Sequence, residues 1–175
     1  FHEMVRARPT HVDSPRPVVL NTWEAVYFKH DLATLSALAD RAASVGVERF
    51  VLDDGWFLGR DDDQRALGDW TVDPAKWPDG LAPLIEHVTG LGMEFGLWVE
   101  PEMINPDSEL YRAHPEWALV DPHHEPLLAR HQLVLDLTNA DAYDFIRSSL
   151  LALLDEYDIA SVSYTHLTLP TNLCV

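Results

Sequence analysis

The chain has 175 residues, and 29 acidic against 12 basic side chains leave it with a formal charge of −17 at neutral pH. That balance argues against a nucleic-acid backbone or other polyanion as ligand and favours a neutral one. No run approaches the roughly 18 apolar residues of a membrane-spanning helix, and the lone Cys174 excludes an internal disulfide and a cysteine-ligated metal.

In chain order, prolines at 9, 15 and 17 mark residues 1–17 as a linker into a first strand, Val18-Val19-Leu20, which runs into Asn21-Thr22-Trp23-Glu24. Asp31 is placed to cap a helix with apolar residues at Leu32, Leu35, Leu38, Ala39, Ala42 and Val45. Gly46 stands where a left-handed C-terminal residue belongs. Phe50-Val51-Leu52 reads as a second strand ending in Asp53-Asp54-Gly55-Trp56-Phe57. Adjacent carboxylates beside a flat apolar ring are suited to holding a sugar by its hydroxyls and its C–H face. A long non-helical stretch reaches Asp79, after which Leu81, Leu84, Ile85, Val88 and Leu91 recur at helical spacing.

Met93 to Val99 reads as a third strand, with Trp98 near its end and Glu100-Pro101-Glu102 directly after it. Thr138-Asn139-Ala140-Asp141 resembles a capping box, and Phe145, Ile146, Leu150, Leu153, Leu154 and Tyr157 then mark one face of the longest helix. After Ala160 the alternation calls for another apolar strand. Val162 to Thr171 instead resembles translated read-through of a sequencing-library adaptor, so residues 161–175 are expected to be a non-native tail, excluded from fold reasoning.

Alternating strands and helices imply a parallel sheet with right-handed crossovers. Three strands each deliver a Trp and an acid at their C-terminal ends, the face on which a β/α barrel collects its catalytic groups; an open doubly wound sheet obeys a similar rule. A closed barrel takes roughly 250 residues. The expected fold class is therefore α/β, a partial TIM (β/α)8 barrel holding the first three to four strand–helix units over residues 18–160.

Plainer roles compete for several of these residues. An Asp at a strand end often caps the next helix, but Asp53 and Asp54 precede a non-helical stretch, which favours function. Arg130 has the ordinary alternative of a surface ion pair. Asp61-Asp62-Asp63 reads as a solvated turn, Trp70, Trp77 and Trp117 as loop packing, and His123-His124 as weak metal evidence.

Seven ordered motifs carry a family resemblance: Asn21-Thr22-Trp23-Glu24-Ala25-Val26-Tyr27-Phe28, Leu52-Asp53-Asp54-Gly55-Trp56-Phe57, Gly68-Asp69-Trp70, Lys76-Trp77-Pro78-Asp79-Gly80-Leu81, Gly96-Leu97-Trp98-Val99-Glu100-Pro101-Glu102-Met103, Leu110-Tyr111-Arg112-Ala113-His114-Pro115-Glu116-Trp117 and Arg130-His131-Gln132-Leu133-Val134-Leu135-Asp136-Leu137. Together they resemble the retaining α-galactosidases of glycoside hydrolase family thirty-six. The resemblance implies a (β/α)8 catalytic barrel between a large β-sandwich domain, from which residues 1–17 would lead, and a small β domain. It implies hydrolysis of terminal α-D-galactose in melibiose and raffinose-type oligosaccharides by double displacement, with no cofactor and no metal at Glu100 or Glu102.

The family's nucleophile follows a Lys-Trp-Asp tract on the strand after the 139–157 helix, and the acid/base lies further on, so no catalytic residue is expected in this chain. By the same count Val134 to Leu137 should belong to an excursion of the third loop. Substrate contacts implied by motif match are Asp53 and Asp54, accepting from galactose hydroxyls, Arg130, donating to one, and Trp98 and Trp23 as walls. The family's Gly-Arg-Asn-Gln is here Ala129-Arg130-His131-Gln132. A galactosyltransferase of the raffinose-synthase kind, an α-N-acetylgalactosaminidase and a non-catalytic carbohydrate-binding remnant are the alternatives. α-Galactosides, and neither nucleic acid nor membrane, are the expected partners; a cytoplasmic homo-oligomer is the expected setting.

Overall fold

A computed structural model describes residues 16–163 except Pro122, Glu125, Leu127 and Ala129. The expectations for the linker up to residue 15, for the tail from 164 onward and for Ala129 lie outside the described residues.

The elements in order are β1 (Val19–Asn21), α1 (Trp23–Val26), α2 (Leu32–Ser44), β2 (Arg49–Leu52), α3 (Ala82–Gly90), β3 (Glu94–Trp98), β4 (Met103–Ile104), α4 (Glu109–Ala113), a 3-10 turn (Pro115–Trp117), β5 (Leu133–Val134), α5 (Ala140–Glu156) and β6 (Ser161–Ser163). Strands β1, β2, β3 and β6 form one parallel sheet in that spatial order, with Leu20 beside Phe50, Phe50 beside Phe95 and Gly96 beside Ser161. The fold is thus α/β with a parallel sheet. Phe50, Leu52, Phe95 and Leu97 are almost wholly enclosed, as expected where helices cover a parallel sheet and its strands read as continuous apolar runs.

Helix α2 starts where Asp31 accepts from the Thr34 N–H at 2.8 Å, and the chain leaves it through Gly46 at φ +85°. It buries Leu35, Ala39 and Ala42 and packs against α3, whose Leu84, Ile85 and Val88 face inward. Among the expected apolar positions of α2, Val45 is 79% exposed, because it lies past the last buried turn.

Two readings of α5 need correction. Its cap is Asn139, whose side chain accepts from the Asp141 and Ala142 N–H groups, whereas Thr138 turns back to donate to Asp136 at 2.6 Å. Its inward face is Ala142, Ile146, Leu153 and the following Tyr157, while Phe145 and Leu154 are 43% and 41% exposed. Helical spacing alone placed those two on the buried stripe; the face that is in fact buried is narrower.

Between β2 and α3 the chain is irregular yet densely packed, with Trp56, Phe57, Leu67, Trp70 and Trp77 all buried. Trp70 packs against Trp56, Phe57 and Trp98, so the loop tryptophans do pack loops. Leu133–Val134 pairs antiparallel with Met103–Ile104 in a separate two-stranded sheet, and the place beside β3 is taken by Ser161–Ser163. The excursion read from the sequence is therefore present, and residues 161–163 sit in the main sheet. Among the described residues no helix is long and apolar enough to cross a membrane.

Candidate functional site

At the C-terminal ends of β1, β2, β3 and β6 lies an open cleft of about 680 Å³. Trp23, Asp53, Asp54, Trp98 and Arg130 all line it, joined by Asn21, Glu24 and Ser163. The five residues singled out in the sequence are thus brought together from three strand ends and a distant loop.

The loops after β1 and β2 are locked to each other. Thr22 N–H donates to the Val51 carbonyl at 3.0 Å, and Thr22 Oγ1 accepts from the Asp53 N–H at 3.0 Å. The Asn21 side-chain amide donates to Asp53 Oδ2, while Asp53 Oδ1 accepts from the Asp54 N–H at 2.8 Å. Asp53 is thereby oriented before any ligand arrives.

Asp54 is held differently. Arg60 Nε and Nη2 donate to its two oxygens at 2.8 and 2.7 Å, a fork-on-carboxylate pair with both side chains buried. The guanidinium also lies over the rings of Phe28 and Phe57, 5.5 and 5.6 Å from their centroids. Burial pushes the Asp54 carboxyl above its ordinary value; the Arg60 hydrogen bonds and charge oppose this, neighbouring Asp53 adds to it, and Arg130 works against it. Each carboxylate oxygen has a second acceptor site, so the pair with Arg60 leaves Asp54 able to take a hydroxyl.

Trp98 stacks on Phe57 at 6.5 Å with 13° between planes, and its carbonyl accepts from Trp56 Nε1 at 2.8 Å, fixing the rear wall. Trp23, also lining the cleft, stands edge-on to Tyr27 and Phe28. Arg130 reaches in from the loop before β5, with Nη1 3.9 Å from Glu100 Oε1. Glu100 is fully buried and also accepts from Gln132 Nε2 at 3.2 Å.

Sequence reasoning missed Arg60, Asn105 and Lys76. Lys76 Nζ donates to the carbonyls of Gly55 and Arg60 at 2.8 and 2.7 Å and pairs with Asp61 at 2.9 Å, tying down the loop that follows the acidic pair. The Asp61-Asp62-Asp63 turn is therefore partly anchored. The available signal was a lone Arg60 directly after the apolar Trp56-Phe57-Leu58-Gly59, since a buried carboxylate needs a cation beside it. His124 pairs with Asp121 at 2.6 Å, and among the described residues no group of three or more side chains is arranged to hold a metal ion.

The family model described as Melibiase matches residues 1–173. An α-galactosidase from Escherichia coli is 54% identical over 149 residues, which is 85% of this chain and 21% of that protein. The α-galactosidase AgaA of Geobacillus stearothermophilus is 46% identical over 167 residues, 94% of this chain and 23% of that one. The chain spans about a fifth of the length of the curated relatives it matches. Among solved structures, the GH36 α-galactosidase AgaB of G. stearothermophilus superposes with a TM-score of 0.84 at 48% identity, covering 87% of this chain and 21% of that chain. A variant of AgaA crystallised with stachyose superposes at 0.86 with 44% identity, covering 93% and 23%.

Proposed function

This chain belongs to the melibiase family, and on that premise we propose that the protein carrying it hydrolyses terminal α-D-galactose residues of raffinose-type oligosaccharides. The observation that carries the reading is the convergence of Trp23, Asp53, Asp54, Trp98 and Arg130 on one cleft at the strand C-termini. Asp53 and Asp54 accept from galactose hydroxyls, Arg130 donates to one, and Trp98 and Trp23 wall the ring and the aglycone side. Related α-galactosidases have been crystallised with raffinose and with stachyose, which supports that substrate class.

The sheet is read as the first four strands of a (β/α)8 barrel, which the sequential, all-parallel order β1-β2-β3-β6 supports. The reaction is retaining double displacement, in which one carboxylate attacks the anomeric carbon and a second protonates the leaving oxygen and then activates water. Neither of those two carboxylates is assigned within residues 1–175. The residues present bind and orient the sugar; charged groups aimed at hydroxyls also penalise analogues that leave them unpaired.

The test is steady-state kinetics of the full-length protein on an activated α-galactoside. Asp53→Ala or Asp54→Ala should each cut kcat/KM by at least ~10²-fold, since hydrogen bonds to charged groups are worth about 1.5–3 kcal/mol each and more than one is lost. Values within roughly threefold of wild type for both variants would remove the acidic pair from the site.

A further inference from the structure

Asp54 and Arg130 come from loops far apart in sequence, yet one buried amide backs both. Asn105 is fully buried; its Oδ1 accepts from the Leu67 N–H at 2.9 Å and from Arg60 Nη1 at 3.2 Å, while its Nδ2 donates to the His131 carbonyl at 2.8 Å. Through Arg60 it reaches both oxygens of Asp54. Through His131 it reaches the turn that presents Arg130. That turn needs such a restraint, because Arg130 and His131 both stand at positive φ, 54° and 61°, where side chains other than glycine persist only when their surroundings impose it.

We propose that Asn105 and Arg60 are positioning residues that set the separation between the Asp54 carboxylate and the Arg130 guanidinium across the cleft. The inference rests on the reading of Asp54 and Arg130 as sugar contacts. A rigid pyranose presents its hydroxyls at fixed distances, so an acceptor and a donor that grip two of them are effective only when their own spacing is held to within about 0.5 Å. Neither loop fixes that spacing by itself. Arg60 contributes the orientation of the carboxylate, since its fork admits one arrangement of the two oxygens. Asn105 ties that arrangement to the backbone of the Arg130 turn.

The experiment is a pair of double-mutant cycles in the full-length protein, read by kcat/KM on an aryl α-galactoside and by inhibition with free galactose. Asn105→Asp keeps the oxygen that accepts from Leu67 and Arg60 but removes the donor to His131. It should lower kcat/KM ~10-fold or more in the wild-type background and less than ~2-fold when added to Arg130→Ala, because the arginine it positions is then gone. Arg60→Lys keeps the charge and loses the fork; it should behave in the same way against Asp54→Asn. Thermal melting identifies any variant that has failed to fold, and the other cycle then decides. Losses that multiply in the double variants would show structural residues only and overturn the proposal, as would single variants of wild-type activity. Arg130→Ala and Asp54→Asn enzymes inhibited by galactose as the wild type is would instead remove the site assignment, and the proposal with it.

Discussion

To accept a galactose hydroxyl as proposed, Asp54 has to remain ionised in a place that disfavours charge, and Arg60 is what opposes the cost. Because burial raises this carboxyl above its ordinary value, hydroxyl-accepting capacity is present above the folded-state pKa and lost as pH falls through it. Arg60→Met removes the opposing charge and moves the pKa further up, so the acid limb of the kcat/KM profile should shift to higher pH; an unmoved limb would show that another group sets it. His30 titrates in the opposite sense. Burial, with the Lys76 charge as a second cause, pushes its imidazole down to about 4, and contacts with the backbone of Tyr27 and Asp54 oppose this only in part. The folded state therefore keeps His30 neutral while the unfolded chain takes up a proton near the ordinary value. Stability is complete above that value and falls as pH drops from about 6.5 towards 4, by up to ~3 kcal/mol at 1.36 kcal/mol per unit. His30→Phe should flatten the dependence; denaturant midpoints at pH 7 and pH 5 that differ equally in wild type and variant would refute it.

The turn after β2 shows how an element's shape fixes the site. Gly55 has φ +118°, and a Cβ there would lie 3.1 Å from the Phe28 Cα and 3.2 Å from His30 Nε2. Gly46 also has positive φ, +85°, but nothing lies within 4 Å of a Cβ there. Gly46→Ala should therefore cost only the left-handed backbone penalty, about 1 kcal/mol, with activity intact. Gly55→Ala should cost more and lower kcat/KM as well, since the backbone it displaces carries Asp53 and Asp54; equal melting losses with unchanged kinetics would contradict this. The regular elements were legible because Asp31, Gly46 and the apolar spacing in α2 and α3 are local signals. So were the strand-end residues Trp23, Asp53, Asp54 and Trp98, whose side chains follow directly from where apolar runs stop. Arg60 and Asn105 were less so, because both lie in irregular segments: Arg60 meets Asp54 six residues away through a turn that no periodicity marks, and Asn105 finds its partners 26 to 45 residues away. The exposure of Phe145 and Leu154 was equally hidden, since periodicity identifies an apolar stripe without showing how much of it is covered.

At the largest scale, the sheet of the described residues ends in two open edges. Among the described residues, β1 is paired only with β2 and β6 only with β3. Val18 and Val19 at one edge are 56% and 50% exposed, and Val162 at the other is 37% exposed. On the helical side Tyr143, Phe145, Leu151 and Leu154 leave apolar area on the surface of α5. Unpaired strand edges bordered by β-branched side chains invite pairing with another chain, and contiguous apolar surface adds a second route to association. The polypeptide of residues 1–175 produced alone should therefore self-associate, seen as a concentration-dependent mass in light scattering. On the proposed reading it should also fail to turn over an activated α-galactoside, because residues that only bind and orient a sugar supply neither an attacking carboxylate nor a proton for the leaving oxygen. A monodisperse monomer would show that the edges are protected in some other way. Turnover above buffer background, in a preparation free of host galactosidase, would place the catalytic carboxylates within these 175 residues, and the acids already facing the cleft, Glu24, Asp53 and Asp54, would be the first to substitute.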